Sequence, residues 1–451
     1  MSTKIVKNAG LCRSFYNYLS PILLPKMGKS IIIIGAGAAG LQAGRRLSKE
    51  GYSVTILEAN SVPGGRIHSI RAGGPAGFSM TVEGGAEFVH GDLPLSQELA
   101  KEAGVVLQPV NSHMVQVKGD REQDFHRDWD ELFKKMEMLP EDMPFADFLA
   151  QYFSGDRYAG LRDSVCRMAE GYDLADVRTA STRSLYREWA AEEEGGEEYR
   201  PVGGYGQLID HLVGVCEAQG CVVHYSSPVT SIRWERGKVA ITTASGVVYA
   251  AELLVSTVSL GVLKTAGISF LPELPAAHRR AIEKLGFGSV IKVLLEFDQP
   301  FWNPRKQPGQ TLFILSDEAL PTWWTQPADD CPLITGWVAG KKMVALRALD
   351  KEARIRAALQ SLAGIFELDS NVLRSWLTAS LILDWETSPA VHGGYSFDTV
   401  GAVDARIALS QPVEGTLFFS GEGLYEGDVP GTVEAAFCSG ITVADKIIAQ
   451  S

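Results

Sequence analysis

The feature that most constrains this chain is the run from Ile31 to Glu58, IIIIGAGAAGLQAGRRLSKEGYSVTILE. Four consecutive isoleucines read as a strand buried on both faces, the pattern of a parallel sheet. Gly35, Gly37 and Gly40 follow as G-x-G-x-x-G, with Ala38 inside the motif. In such a turn the first glycine allows the sharp bend, the second lets backbone approach a pyrophosphate, and the third lets the next helix pack against the strand. Leu41 to Glu50 continues with helical spacing and Gly51 stops it, so free amides at the helix start are placed to hold the pyrophosphate. Ser53 to Leu57 is a second strand ending in Glu58, 18 residues past Gly40, where these folds set a carboxylate on the ribose hydroxyls. An acid there favours an unphosphorylated ribose. Glycine-rich strand ends also occur as bare turns. Here strand, helix, second strand and acid fall in register, which predicts an α/β dinucleotide-binding fold.

PGGRI at 63–67 turns that dinucleotide toward FAD. At 451 residues the chain has room for two or three domain-sized units, and 45% hydrophobic content is ordinary for a globular protein. A net charge of −12 disfavours a nucleic-acid surface and suits cationic substrates, although simple solubility explains the same balance. Cysteines at 12, 166, 216, 221, 331 and 438 show no C-x-x-C pairing, so they read as reduced core thiols in a reducing compartment, with cytoplasmic localisation expected. No residue cluster suggests a metal site. No run approaches the roughly 18 to 20 apolar residues of a membrane helix. Pro21 and Pro25 interrupt the apolar patch Leu19 to Leu24, which argues against a secretory signal and leaves residues 1–30 as a loose extension.

Further along, Val82 to Gly91 (VEGGAEFVHG) reads as a glycine-rich turn, and Ser96 to about Tyr199 as a helical, charged and aromatic block. A new unit begins at Gly203-Gly204, with Leu208, Leu212 and Val215 on a helix face that Gly220 ends. Cys221 to Tyr225, Val229 to Trp234, Lys238 to Thr243 and Val247 to Thr257 read as a strand, a meander and a return into the first sheet. A second mixed block runs from about Arg280 to Trp385. Leu417 to Ser420 is a short strand, and Gly431 to Ala449 a helix whose buried side is expected to carry Val433, Ala436, Phe437, Ile441, Ala444 and Ile448.

Taken in order, GAGAAG, Glu58, PGGRI, GGAEFVHG, VSTVSLGVLK at 255–264, GFGSVIKVLLEF at 286–297, PFW at 300–302, GGYS at 393–396 and FSGEGLYEGDVPGTVEAAFCSG at 419–440 resemble the flavin-dependent amine oxidases, and among them most of all the polyamine oxidases. The resemblance spans nearly the whole chain. It implies an α/β fold, α+β overall, with a discontinuous, Rossmann-like FAD-binding domain of the GR2 type and an inserted mixed α+β substrate-binding domain. The expected division is an extension at 1–30, FAD-binding segments at 31–111, 204–280 and 386–451, and substrate-binding segments at 112–203 and 281–385.

The implied reaction moves a hydride from the carbon beside an amine to the flavin and leaves an imine that water hydrolyses to an aldehyde. The reacting nitrogen must be neutral, so the pocket has to admit a cation yet favour a free amine, which carboxylates and aromatic faces can serve. On pattern alone Lys292 is a strand lysine at a sheet edge or one that snorkels to water. The resemblance makes it the lysine that holds a water against the flavin N5. His90, by default a hydrogen-bonded turn histidine, falls where relatives place a substrate-facing His or Glu. Tyr395 and Trp385 match aromatics that flank the flavin, Tyr395 walling the amine channel. Thr432 stands where many relatives carry a second aromatic, which puts a two-ring cage in doubt. Gly394 stands where membrane monoamine oxidases bond the flavin through cysteine, so FAD is expected to be noncovalent.

The resemblance assigns further cofactor contacts to Ala59, Gly65, Arg66, Gly85, Ala86, Glu87, Val229, Glu422, Thr432 and Val433, beside the turn residues and Glu58. Arg66 is expected to offset pyrophosphate charge, Val229 to pair its backbone with adenine, and free amides at Thr432 and Val433 to face the flavin pyrimidine. Glu87 and Glu422 read by default as solvated acids. The acidic run Glu192-Glu193-Glu194 with Glu197-Glu198 lies where relatives place a channel carboxylate; Glu192 and Glu194 are the named candidates, with Thr432, and a solvated loop is the plain reading. The function expected is oxidation of spermine, spermidine or an acetylated form, with dioxygen as acceptor and hydrogen peroxide as product, by a monomer or homodimer. A monoamine or L-amino-acid oxidase, a histone-lysine demethylase and a non-catalytic flavin-binding sensor or scaffold are the alternatives. An amino-acid oxidase needs a cation for the substrate carboxylate, and no substrate-domain arginine announces itself.

Overall fold

The computed structural model describes residues 29–91, 93–117, 125–193, 197–427 and 430–450. The isoleucine run forms the strand Ser30–Ile34 at the centre of a five-stranded sheet, in the order Leu417–Phe419, Leu253–Ser256, Ser30–Ile34, Ser53–Leu57, Val222–His224. Every pairing in it is parallel. A parallel sheet needs cover on both faces, and the alternation of the isoleucines shows it. Ile31 and Ile33 join Leu41, Leu47, Leu212 and Phe437 in one core, while Ile32 and Ile34 join Val239, Ile241 and Leu409 in the other. The helices Ala38–Lys49, Gly206–Ala218 and Val433–Ile448 contribute to the first. The meander Val229–Glu235, Lys238–Thr243, Val248–Ala251 and the helix Ala402–Leu409 contribute to the second.

A six-stranded sheet, in the order Leu377–Asp384, Val290–Phe297, Leu333–Ala339, Thr322–Thr325, Thr311–Ser316, Ser112–Val117, supports the other side of the site. The helices Phe125–Glu137, Phe145–Tyr152, Ala159–Gly171 and Thr182–Glu193 lie in the middle block, and Phe145, Phe148 and Trp189 sit in the core of that block.

Three expectations change. The block from Ser96 to Tyr199 is not helical throughout: Leu107–Pro109, Ser112–Val117 and Glu198–Pro201 are strands. Ser112–Val117 is an edge strand paired in parallel with Thr311–Ser316, so its polar alternation hides among charged neighbours. The stretch Val247 to Thr257 is two strands, because the chain changes sheets at Glu252, whose carboxylate accepts from Ser30 N at 2.8 Å. On the last helix the buried set is Glu434, Ala435, Phe437, Ser439, Gly440, Val443, Ala444 and Ile447, whereas Val433, Ala436, Ile441 and Ile448 are only half-buried. Polar side chains take up part of that face. Glu434 accepts Leu95 N, Ser96 N and Ser96 Oγ at 2.7–2.8 Å, satisfying the start of the helix Pro94–Ala103. Gly440 lets the helix cross Ala39 closely, since a Cβ there would lie 2.3 Å from the Ala39 carbonyl oxygen.

The described cysteines are all free; 216, 221 and 331 are buried, 166 and 438 half-buried, and Cys12 lies outside the described residues. Among the described residues no helix is long and apolar enough to cross a membrane, and no group of three or more His, Cys, Asp or Glu could hold a metal ion.

Candidate active site

At the nucleotide end, Gly35 turns with φ +105°, and a Cβ on Gly40 would lie 2.0 Å from the Gly35 carbonyl oxygen. That contact is to backbone, so nothing can swing away. Gly37 caps the helix Ala38–Lys49 without any side-chain hydrogen bond, leaving first-turn amides to a ligand. The PGGRI segment docks on this turn through Gly64 N to Ala36 O at 2.9 Å, and Gly37, Gly65 and Gly421 have no side chain closing the space around them. Glu58 is buried beside the turn, accepting Ala36 N and Asn60 N at 2.8 Å each; burial pushes its carboxyl up, against the pull of those amides. Ala59 follows directly, and Val229 opens its strand two residues after Ser227, whose amide donates to Glu58 O at 2.8 Å. An open glycine cradle with free amides and a nearby buried acid fits a dinucleotide.

Between the two ends, Arg66 Nη1 lies 2.6 Å from Glu422 Oε1 and donates to Gly394 O at 2.9 Å. Glu422 is therefore no solvated loop acid: it is 4% exposed, and its other oxygen accepts from Ser396. The Arg66 charge is already matched by Glu422. Gly85 lies against Arg66, where a Cβ would come 1.8 Å from its carbonyl oxygen, and Ala86 N donates to that oxygen at 3.0 Å. Trp385 Nε1 donates to Gly84 O at 3.1 Å. Thr432 caps the helix that Val433 begins, its Oγ1 accepting Ala435 N at 3.1 Å, so the side chain satisfies an amide further into the first turn and not those of Thr432 or Val433.

Lys292 departs most from its default reading. It lies on the interior strand Val290–Phe297, paired on both sides, and is 1% exposed. Its Nζ is 2.7 Å from Glu87 Oε2 and 3.0 Å from Gly85 O. Glu87, expected in solvent, is 5% exposed. Burial alone would push its carboxyl up, but the charges of Lys292 and Arg200 outweigh burial and hold it at about 2. Arg200, on the strand Glu198–Pro201, reaches Glu87 Oε1 at 2.8 Å and lies over the Phe88 ring at 4.6 Å.

From Phe88 the wall continues outward. His90 Nδ1 is 2.8 Å from Glu198 Oε1, in a pair more than a third exposed. The hydrogen bond from His90 holds the Glu198 carboxyl below its ordinary range despite partial burial. Tyr172 stands edge-on to His90 at 6.3 Å, and its carbonyl accepts from the Tyr395 hydroxyl. Tyr395 stacks beside Trp337 at 6.5 Å, and Trp337 is the strand partner of Lys292. The structure thus joins Lys292, Glu87, His90 and Tyr395 in one wall, with the Trp337 ring stacked beside Tyr395. Glu192 lies in the helix Thr182–Glu193, but its side chain and Glu194 fall outside the described residues. Of the acidic run, Glu198 is the carboxylate seen in the wall, on a strand rather than a solvated loop.

Arg200, Phe88, Tyr172, Trp324 and Trp337 were not singled out from the sequence. The alternation of Glu198 and Arg200 before Gly203 was the available signal, since strand period puts both on one face.

A sequence profile described as flavin containing amine oxidoreductase matches residues 38–448. Curated relatives include lysine-specific histone demethylase 1B of Mus musculus, 27% identical across 95% of this chain and 54% of that protein. They also include polyamine oxidase 4 of Oryza sativa subsp. japonica, 26% identical across 92% of this chain and 88% of that protein. The chain spans about half the length of the demethylases it matches. Among solved structures, a putrescine oxidase bound to putrescine superposes with TM-score 0.77 at 20% identity, covering 94% of this chain and 100% of the other. Cyclohexylamine oxidase from Brevibacterium oxydans gives 0.76 at 20% identity, over 94% and 99%. With a glycine cradle for the nucleotide, a buried lysine on the interior strand Val290–Phe297 and a profile match over most of its length, the chain belongs to the flavin containing amine oxidoreductases.

Proposed function

We propose that this protein is an FAD-dependent polyamine oxidase that cleaves a carbon–nitrogen bond of spermine, spermidine or an acetylated form and passes electrons to dioxygen. The observation that carries this reading is the continuous wall from Lys292 through Glu87, Arg200 and Phe88 to the His90–Glu198 pair. One end is buried; the other is a partly exposed carboxylate that stays ionised, as a long cation with separated charges requires.

Gly35, Gly37, Ala38, Gly40, Glu58, Ala59, Gly65 and Val229 would hold the adenosine and pyrophosphate, and Arg66, Gly85, Ala86, Trp385, Glu422, Thr432 and Val433 the flavin side. FAD, once bound, supplies the acceptor for the hydride leaving the carbon beside nitrogen. His90 orients the amine by hydrogen bonding, and Glu198 keeps that histidine in one orientation. The faces of Tyr395, Trp337 and Phe88 accommodate cationic carbon chains. Lys292 presents an N–H toward the flavin to hold a water there. Gly394 before Tyr395 offers no thiol, so FAD is held noncovalently and acid precipitation should release the yellow colour. The division of the chain at 111/112, 203/204, 280/281 and 385/386 follows from the same reading, and a reducing cytoplasm suits the free thiols.

A second reading, a demethylase acting on methylated lysine, is favoured by the histone demethylases among the relatives. Anaerobic mixing of the holoenzyme with spermine, spermidine, N-acetylated polyamines, short monoamines, L-amino acids and a methyl-lysine peptide separates the readings. Bleaching by polyamines is expected. Bleaching by the peptide or amino acids alone overturns the proposal, and a scaffold stays oxidised with all of them.

A further inference from the structure

Glu87 connects more of this site than an acid in a glycine turn needs to. One carboxylate oxygen accepts from Lys292 Nζ at 2.7 Å; the other lies 2.8 Å from Arg200 Nη2 as an ion pair and accepts from Gln326 Nε2 at 3.3 Å. These partners come from separate parts of the chain, so a single side chain fastens Val290–Phe297 to Glu198–Pro201 and to the segment after Thr322–Thr325. An ammonium has three protons. Lys292 gives one to Glu87 and one to Gly85 O, both contributed by the GGAE turn, which leaves one N–H for whatever lies on the flavin side. The indole of Trp324, 5.4 Å from Nζ, blocks another direction. Glu83 is the other buried acid nearby, but Ser69 Oγ and Tyr205 N already occupy it.

We propose that Glu87 is the positioning residue for Lys292: its carboxylate holds the ammonium in one orientation toward the flavin and offsets the lysine's charge there. This rests on reading Lys292 as flavin-facing. Without Glu87 the buried lysine and the half-buried Arg200 would be two cations with no anion between them, and the flavin would meet a more positive and less ordered neighbour.

The test uses the FAD-loaded protein and sulfite, an anion whose adduct with oxidised flavin bleaches the visible absorbance and tightens with nearby positive charge. E87Q should bind sulfite about tenfold more tightly than the unaltered protein, the scale on which the Lys292 charge, once no longer offset, acts across roughly 10 Å at an effective dielectric near ~20. The two-electron flavin potential should rise by about 30 mV, the equivalent of that factor. K292M should bind sulfite more weakly, and K292M/E87Q should match K292M, because Glu87 acts through the lysine. If K292M leaves sulfite affinity unchanged, Lys292 does not face the flavin and the reading beneath the proposal fails. If K292M shifts affinity while E87Q does not, Lys292 stands and the role of Glu87 is overturned. An E87Q effect that persists in the double variant also overturns it, since Glu87 would then act on the flavin directly. Should E87Q alone fail to take up FAD, the double variant carries the test: affinity equal to that of K292M is expected, and any tighter binding contradicts the proposal.

Discussion

Replacing Lys292 with methionine probes the buried pair through stability as well as through catalysis. Methionine keeps a similar unbranched stem, so little cavity should open on the fully buried strand. What is lost is the ammonium 2.7 Å from Glu87. Breaking a buried pair commonly costs about 3–5 kcal/mol, but Arg200 remains at 2.8 Å from Glu87, so about 2–3 kcal/mol is expected at pH 7. The pH dependence identifies the cause. Glu87 titrates at about 2 in the fold against 4.5 ordinarily, a depressed value whose stabilisation is complete above pH 4.5 and fades as pH falls through 2. That difference is worth about 3 kcal/mol at neutral pH and less than half as much by roughly pH 3. Lys292 supplies much of it, and also favours the charged form of Glu83, so the deficit of K292M should shrink by half or more between pH 7 and 3. Urea unfolding of both proteins across that range measures it. A deficit equal at both ends would mean that only packing was lost, and no deficit at pH 7 would mean that the pair contributes nothing.

Other consequences are as direct. Gly40→Ala drives a Cβ against the Gly35 carbonyl oxygen at 2.0 Å, so the purified variant should contain little flavin by its absorbance ratio and should unfold more readily; full FAD content would contradict the turn geometry. Glu434→Ala strips three hydrogen bonds from the start of Pro94–Ala103 and should cost about 2–4 kcal/mol in urea unfolding, given the strength of bonds to a charged acceptor. Glu198→Gln removes the partly exposed anion beside His90, so KM for spermine should rise several-fold while KM for a short monoamine hardly moves; equal changes for both would place Glu198 outside the amine path.

How much of this was legible in the sequence depends on how local the physics is. The glycine turn, its flanking strands and Glu58 lie within 28 residues, and each choice there agrees with the next, so their arrangement could be read directly. The Glu87–Lys292 pair could not, because its members are 205 positions apart and each alone resembles an ordinary solvated charge. The same holds for Glu422, which Arg66 neutralises from 356 positions away, and for Glu434, buried because it caps another helix. Hydrophobicity misplaces such residues, since burial follows from a partner rather than from polarity. Arg200 was missed for that reason too, although its alternation with Glu198 on a short strand was there to be seen.

On the proposed reading, the wall from Lys292 to Glu198 is a polyamine site facing a flavin. Stopped-flow reduction of the holoenzyme under anaerobic conditions, followed in the flavin's visible absorbance, tests it most directly. Spermine or spermidine should bleach the flavin in a saturable way, and Glu198→Gln should raise the concentration needed for half-maximal rate more than it lowers the limiting rate. A flavin that stays oxidised with every polyamine, or is reduced at a rate indifferent to both Glu198 and Lys292, would mean that this wall is not a polyamine site.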